Sequence, residues 1–233
     1  FDSTNGEQRL MSLFSVSTLE AFGTFTRPEL AAMGAIVDYL EITQRGKLPL
    51  LRPHVREAEE RVMQIDAATR RNLELTHSLG GGRAGSLLAT IDRTVTPGGA
   101  RLLERRLSSP SRVPQVIENR LEAVDFALEN TRLASDLREA LRKVPDLDPA
   151  LSRLSLDRGG PRDLAAIRNG LSQAEELRDL LGETDLPDLL AQAARDFTGH
   201  EDLLTLLDAA LIAEPPLLAR DGGFIAAGYD EAL

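Results

Sequence analysis

From Val113 to Leu181 the apolar residues recur three and four positions apart, and a chain with that spacing buries them by coiling into helices packed side by side. Val113, Val116, Ile117, Leu121, Val124 and Leu128 fall on one face of a first helix, with Pro114 in its opening turn, where the missing N–H costs nothing. Leu133, Leu137 and Leu141 repeat at strict i+4 in a second helix. Pro145 and Pro149 interrupt the pattern, and Leu147, Leu151 and Leu154 mark a short helix. Gly159-Gly160-Pro161 then turns the chain into a long amphipathic helix carrying Leu164, Ile167, Leu171, Ala174, Leu177 and Leu181, which Gly182 ends. Two more helices are predicted at about Leu186–Phe197 and Glu201–Leu211. Arg220–Tyr229, with three glycines around Phe224-Ile225, predicts a hairpin or extended turn, and Tyr229-Asp230-Glu231 the start of a further helix.

The first 110 residues are more mixed. Thr4–Phe14 reads as a short helix, and Val16–Phe22 alternates as a strand does. Thr26-Arg27-Pro28-Glu29 is a capping box that opens a helix through Leu30, Met33, Gly34, Val37 and Leu40, terminated by Gly46. Gly46–Pro53, with two prolines and few helix signals, is the expected linker. Glu57–Ile65 suits either a charged helix or an edge strand. In Ile65–Pro110, Asp66 caps a short helix, and Leu73 and Leu75 alternate with Glu74 as in a strand. Gly80–Gly85 is a flexible loop, and Ser86–Ile91 a short apolar helix. Thr96 is an N-cap with Pro97 behind it, and the helix that follows sets Ala100, Leu103 and Leu107 on one face until Ser108-Ser109-Pro110 stops it. The predicted class is mainly α, with a small α/β remnant at the N-terminus.

The order Asp66-x-x-Thr69-Arg70-Arg71-Asn72-Leu73-Glu74-Leu75, a Leu-rich turn ending in Asp92, and then Thr94-x-Thr96-Pro97-x-Gly99-x-Arg101-Leu102-Leu103 resembles the core domain of the MutS family, the bacterial DNA mismatch recognition ATPases. Leu19–Leu51 looks like the end of that family's connector domain and Arg220–Leu233 like the approach to its lever helix, so the resemblance covers nearly the whole chain. The family often has Trp where Arg106 stands. The resemblance implies that residues 1–46 are the C-terminal part of a connector with a nuclease-like α/β fold. It makes 47–233 the first half of the helical core, or lever, domain, truncated before the DNA clamp. Such proteins are dimers that insert a Phe from a Phe-x-Glu motif at a mismatch and use an ABC-type ATPase, with ATP and magnesium, to become a sliding clamp that recruits MutL. None of the Phe-x-Glu reader, the clamp tip or the Walker motifs matches these residues. The implied role is therefore structural, coupling ATPase to clamp, with no catalytic, cofactor or metal residue in this chain. Mismatched DNA, MutL and a second copy are implied as partners of the longer cytoplasmic protein. A stand-alone helical interaction scaffold is the alternative.

Composition agrees with these limits. There is no cysteine, hence no disulfide or thiolate metal site, and no apolar run near the roughly 18 to 20 residues of a membrane span. The chain opens on Phe1 and not on Met, which reads as a piece of a longer protein. The net charge of −10 is uneven: residues 46–110 hold 11 basic and 7 acidic side chains, residues 183–233 hold 2 and 11. Phosphate affinity runs through Lys and Arg, so the last segment repels nucleic acid and only the central one is mildly basic.

Several residues invite a chemical reading. The glycine run ending at Gly85-Ser86 lacks the lysine and the preceding strand of a phosphate-binding P-loop. His54, His77 and His200 share no i, i+4 spacing, so surface or cap positions are expected for them. Asp146 and Asp148 flank Leu147 between prolines, where capping outweighs metal binding, with Arg153 as an ion-pair partner. Arg70, Arg71, Arg101 and Arg105, beside Arg106, form the best basic cluster. Two readings stay open: contact with phosphate, or pairing with Glu74, Glu104 or the acidic tail. The second is favoured because no aromatic side chain is interleaved to stack bases.

Overall fold

The computed structural model describes residues 2–44, 48–49, 51–54, 61–182 and 185–230. Most of them lie in eleven α-helices: α1 (Ser3–Phe14), α2 (Arg27–Thr43), α3 (Ala67–Asn72), α4 (Leu87–Ile91), α5 (Pro97–Ser108), α6 (Pro114–Glu129), α7 (Thr131–Leu141), α8 (Leu147–Ser155), α9 (Pro161–Leu181), α10 (Asp188–Asp196) and α11 (Glu201–Ala210). The mainly α class follows from this order, and strand pairing among the described residues is limited to two isolated antiparallel bridges. The chain divides into two compact units, Phe1–Glu57 with Leu151–Gly159, and Ala58–Ala150 with Gly160–Leu233.

In the first unit α1 and α2 pack face to face. Their backbones meet at two glycines: a Cβ on Gly34 would lie 2.3 Å from the Gly6 Cα, and one on Gly6 would lie 2.3 Å from the Leu30 carbonyl oxygen. Only residues without side chains allow that approach. The Arg9 Nη1 ties the same pair together by donating to Asp38 Oδ1 at 2.6 Å and Glu41 Oε2 at 2.7 Å. α2 opens with the expected capping box, in which the Thr26 N–H donates to Glu29 Oε2 at 2.6 Å.

The strand anticipated at Val16–Phe22 does not form. Ser15 takes a left-handed conformation, and its N–H closes the end of α1 on the Met11 and Ser12 carbonyls. The chain then turns through a 3-10 turn at Glu20–Phe22, with Leu19 buried in the unit's core beside Leu10 and Val37. Alternation alone makes no strand where no partner strand is present to pair with it. The rings of Phe14, Phe22 and Phe25 surround His54 at centroid distances of 5.4, 5.9 and 4.9 Å. The His54 Nε2 is sealed from solvent with no hydrogen-bond partner among the described residues, and burial pushes the ring below the ordinary histidine value. Of the expected linker, Gly46, Lys47 and Leu50 lie outside the described residues, as does Val55–Glu60.

The second unit is built around α9. Its Ala165, Ile167, Leu177 and Leu181 are buried, and α7, α10 and α11 pack along it, contributing Ala140, Leu204 and Leu207. The helix begins at Pro161 with Asp163 Oδ2 accepting from the Gly160 N–H at 3.0 Å, and it ends at Gly182. Halfway along α9, Arg168 is only 9% exposed. Its guanidinium donates to the carbonyls of Ile212 and Ala213 at 3.0 and 2.9 Å, with Leu211 at 3.5 Å and the Asp208 carboxylate 3.6 Å from Nε. These carbonyls lie just past the end of α11, where no helical N–H is left to meet them. The segment they belong to pairs antiparallel with Phe224–Ala226: the Ile212 N–H donates to the Phe224 carbonyl at 3.0 Å and the Ala226 N–H to the Ala210 carbonyl at 2.9 Å. The turn expected over Arg220–Tyr229 is thus extended, with its partner at the end of α11. The expected helix start at Tyr229 runs into residues outside those described.

Within Ile65–Pro110 the caps fall where the sequence sets them. Asp66 and Thr96 accept from the N–H groups of Thr69 and Gly99 at 2.9 and 3.0 Å, and Ser86, expected inside its helix, caps it, accepting from the Ala89 N–H at 3.1 Å. The strand anticipated at Leu73–Leu75 is instead a turn, because Glu74 has φ of +49° and reverses the chain. Leu75 is buried there beside Leu88, and Leu73 is exposed. Of the ambiguous segment Glu57–Ile65, residues 57–60 lie outside the described residues, and Val62 makes an isolated antiparallel bridge with Ser111. α6 keeps Leu121, Val124 and Leu128 exposed at 56, 54 and 69%.

Three measurements check these constraints. Gly34→Ala, which gains helix propensity elsewhere, is expected to destabilise the α1–α2 pair by about 1–3 kcal/mol through backbone overpacking. Gly98→Ala, into open space, is expected to be neutral or slightly stabilising in the same urea titration. Arg168→Met strips several carbonyls of their donor and is expected to cost about 2–4 kcal/mol, seen as faster amide exchange in α11. For His54 the folded state favours the neutral ring. Its contribution is therefore complete above the unfolded value of about 6.5 and is lost as pH falls through the lowered folded value. Intrinsic-rate-corrected exchange of α1 and α2 amides is expected to speed up from pH 7.5 to 5.5, and His54→Phe to flatten that change.

Candidate functional site

The basic residues singled out in the sequence separate into distinct settings. Arg101, on the exposed side of α5, is engaged. Its Nη1 and Nη2 donate to the two Asp146 oxygens at 3.0 and 2.8 Å, and Nη2 also donates to Asp148 Oδ2 at 2.7 Å. The fork lies across the N-terminus of α8, and Thr96, Pro97, Leu141, Val144 and Phe197 line a groove of about 250 Å³ beside it. Hydrogen bonding to Arg101 holds the Asp146 carboxyl below the usual carboxylate range, and the same bond pushes the arginine up. The clamp therefore persists until pH falls below ordinary carboxylate values. Asp146 and Asp148 are an ion-pairing couple whose partner among the described residues is Arg101, 45 and 47 residues upstream, where Arg153 was anticipated.

Arg105 and Arg106 end α5 differently. Arg105 is exposed, while Arg106 is half-buried with its Nε sealed and unpartnered among the described residues. Burial, and then the like charges of Arg120 and Arg105, push the Arg106 guanidinium below its ordinary value. None of the anticipated pairings of the cluster with Glu74, Glu104 or the acidic tail forms among the described residues.

Arg70 and Arg71 occupy the last turn of α3, where cations suit the exposed carbonyl end of a helix. Both are exposed and line a cleft of about 420 Å³ with Thr76, His77, Ser78 and Gly82. The far wall is a turn closed by its own hydrogen bonds: the Ser78 N–H donates to the Gly82 carbonyl at 2.9 Å, and Leu87 and Leu88 donate back to Glu74 and Leu75, each at 2.9 Å. The glycine run is thus one wall of a cleft, held by Ser86, whose hydroxyl donates to the Arg83 carbonyl at 2.7 Å. No local sequence signal announces the cleft, because it depends on Glu74 reversing the chain.

The other histidines do no visible chemistry. His77 Nδ1 lies 3.0 Å from the Thr76 hydroxyl, and His200 stands at the N-cap of α11 without a side-chain cap bond. Among the described residues no group of three or more His, Asp or Glu side chains is placed to hold a metal ion, and no helix is long and apolar enough to cross a membrane.

The family model described as MutS domain III matches residues 68–231. Over all 233 residues the chain is 68% identical to the DNA mismatch repair protein MutS of Ruegeria pomeroyi and 64% identical to that of Paracoccus denitrificans, covering 27% and 26% of those proteins. It spans about a quarter of the length of these relatives. With residues 68–231 matched by the domain III model and its full length aligned at such identity, the chain belongs to the MutS family.

Proposed function

We propose that this chain serves DNA mismatch repair as a mechanical part, carrying conformational change between a DNA clamp and an ATPase that lie on other segments of a longer protein. The observation that carries the proposal is the 68% identity, over every residue, to a DNA mismatch repair protein MutS. The packing supports it. α9, at 21 residues, runs about 30 Å, with three helices packed along it and a buried arginine fixing the segment beyond α11. A long helix packed on several sides is one kind of element through which coupling between distant sites is carried. On this reading residues 1–46 close the connector and 47–233 form the first half of the core. Mismatched duplex DNA, MutL, a second copy, and ATP with magnesium are engaged by the longer cytoplasmic protein, and no catalytic step falls to this chain.

The test is fluorescence anisotropy of the 233-residue chain against mismatched and fully paired duplexes at low and physiological salt, with ATP turnover read in the same samples. Equal affinity for both duplexes, weakening steeply with salt, and no turnover are the expected results. Mismatch-selective binding that survives physiological salt, or hydrolysis above the buffer rate, would sink the mechanical reading.

A further inference from the structure

The geometry points to an oxyanion site in the cleft between the end of α3 and the turn that follows it, with Arg70 and Arg71 as the residues that hold a phosphate group. Among the described residues no carboxylate pairs with these arginines. Two carboxylates are near enough in sequence to do so, and both are occupied. Asp66 accepts from the Thr69 N–H at 2.9 Å and the Thr69 hydroxyl at 2.6 Å, which holds it below the ordinary carboxylate value in its capping role. Glu74 accepts from the Leu79 N–H across the base of the turn. Arg70 and Arg71 form no ion pair and no side-chain hydrogen bond among the described residues.

Arg70 and Arg71 both line the cleft, and two guanidinium groups drawn to one anion offer planar donor forks and two positive charges, the complement of a phosphate dianion or of a phosphate ester. A single carboxylate would leave one of the charges unanswered. At about 420 Å³ the cleft exceeds the ~30 Å³ share of a water more than tenfold, which leaves room for a phosphate and the group it is esterified to. His77 and Thr76 line the same cleft, so an anion held there changes the field at the imidazole ring. The setting in the chain agrees, since this is the one stretch with a basic balance in a protein of net charge −10. No Phe, Tyr or Trp is among the residues that line the cleft, and His77 is the one ring there, so the ligand is held chiefly through its phosphate. This inference does not depend on the mechanical role proposed above.

The experiment is a titration of the full chain with inorganic phosphate at constant ionic strength, following the His77 ring resonances, with His200 as internal reference. A saturable shift at His77 but not at His200 is expected, and Arg70→Gln/Arg71→Gln is expected to weaken it at least tenfold, while Arg132→Gln on the exposed side of α7 leaves it unchanged. A short paired duplex supplies the second arm. Displacement of the phosphate-induced shift by duplex assigns the site to phosphodiester backbone, and saturation by phosphate without competition assigns it to a small phosphate ligand. No saturable shift at His77 with either probe overturns the proposal, as does a shift of equal midpoint in the double variant. Because the first readout uses the unsubstituted chain, it decides the matter even where the double variant fails to fold.

Discussion

A buried guanidinium on α9 decides how the second unit ends. Helix α11 finishes at Ala210, and the residues after it carry carbonyls that no helical N–H can reach. Arg168 supplies the donors from the middle of a neighbouring helix, so the chain beyond α11 is fixed against the central element of the unit. The antiparallel pairing of that segment with Phe224–Ala226 follows, because an edge held straight by Arg168 is a template for a second strand. A lysine offers one charge and a compact head where several carbonyls must be met at once, and only the planar fork spans them.

The first unit solves the matching problem by the opposite means. Where α9 uses a long polar side chain to bridge a gap, α1 and α2 use the absence of side chains to remove one. Backbones brought this close leave little room for repacking, so the crossing point is set by Gly6 and Gly34 and the flanking apolar residues follow from it. Arg9, reaching Asp38 and Glu41 one turn apart on α2, fixes the remaining freedom, sliding along the helix axis. His54 is then enclosed by three aromatic rings, with one nitrogen unanswered among the described residues.

Much of this was legible in the residues because it is local. The caps at Thr26, Asp66 and Thr96 and the stop at Gly182 act within four positions of the helix ends they define. The two strand expectations failed for the same local reason, since apolar alternation at Val16–Phe22 and Leu73–Leu75 is also what a tight turn with one inward side chain looks like. Only backbone torsion separates them, as the positive φ of Ser15 and Glu74 does here. The pairing of Arg101 with Asp146 was not legible, because 45 residues separate them and every arginine in the cluster is an equal claimant. Arg168 was hidden for a different reason: its partners are main-chain carbonyls, which leave no mark on the side-chain pattern.

The exposed face of α6 and the arginines of α3, unpaired among the described residues, have a common physical origin in helix ends and faces. A helix satisfies its own backbone, so what its surface lacks in partners is set by side chains alone. Leu121, Val124 and Leu128 lie at three- and four-residue intervals on one face and remain exposed, although the same spacing on α9 is buried by its neighbours. Arg70 and Arg71 are likewise exposed because the carboxylates nearest them in sequence are spent on capping and turn formation. The interactions that fold α3 and the turn after it are thus the ones that leave Arg70 and Arg71 without a carboxylate partner among the described residues. Capping consumes acid locally, and a basic surface is what remains.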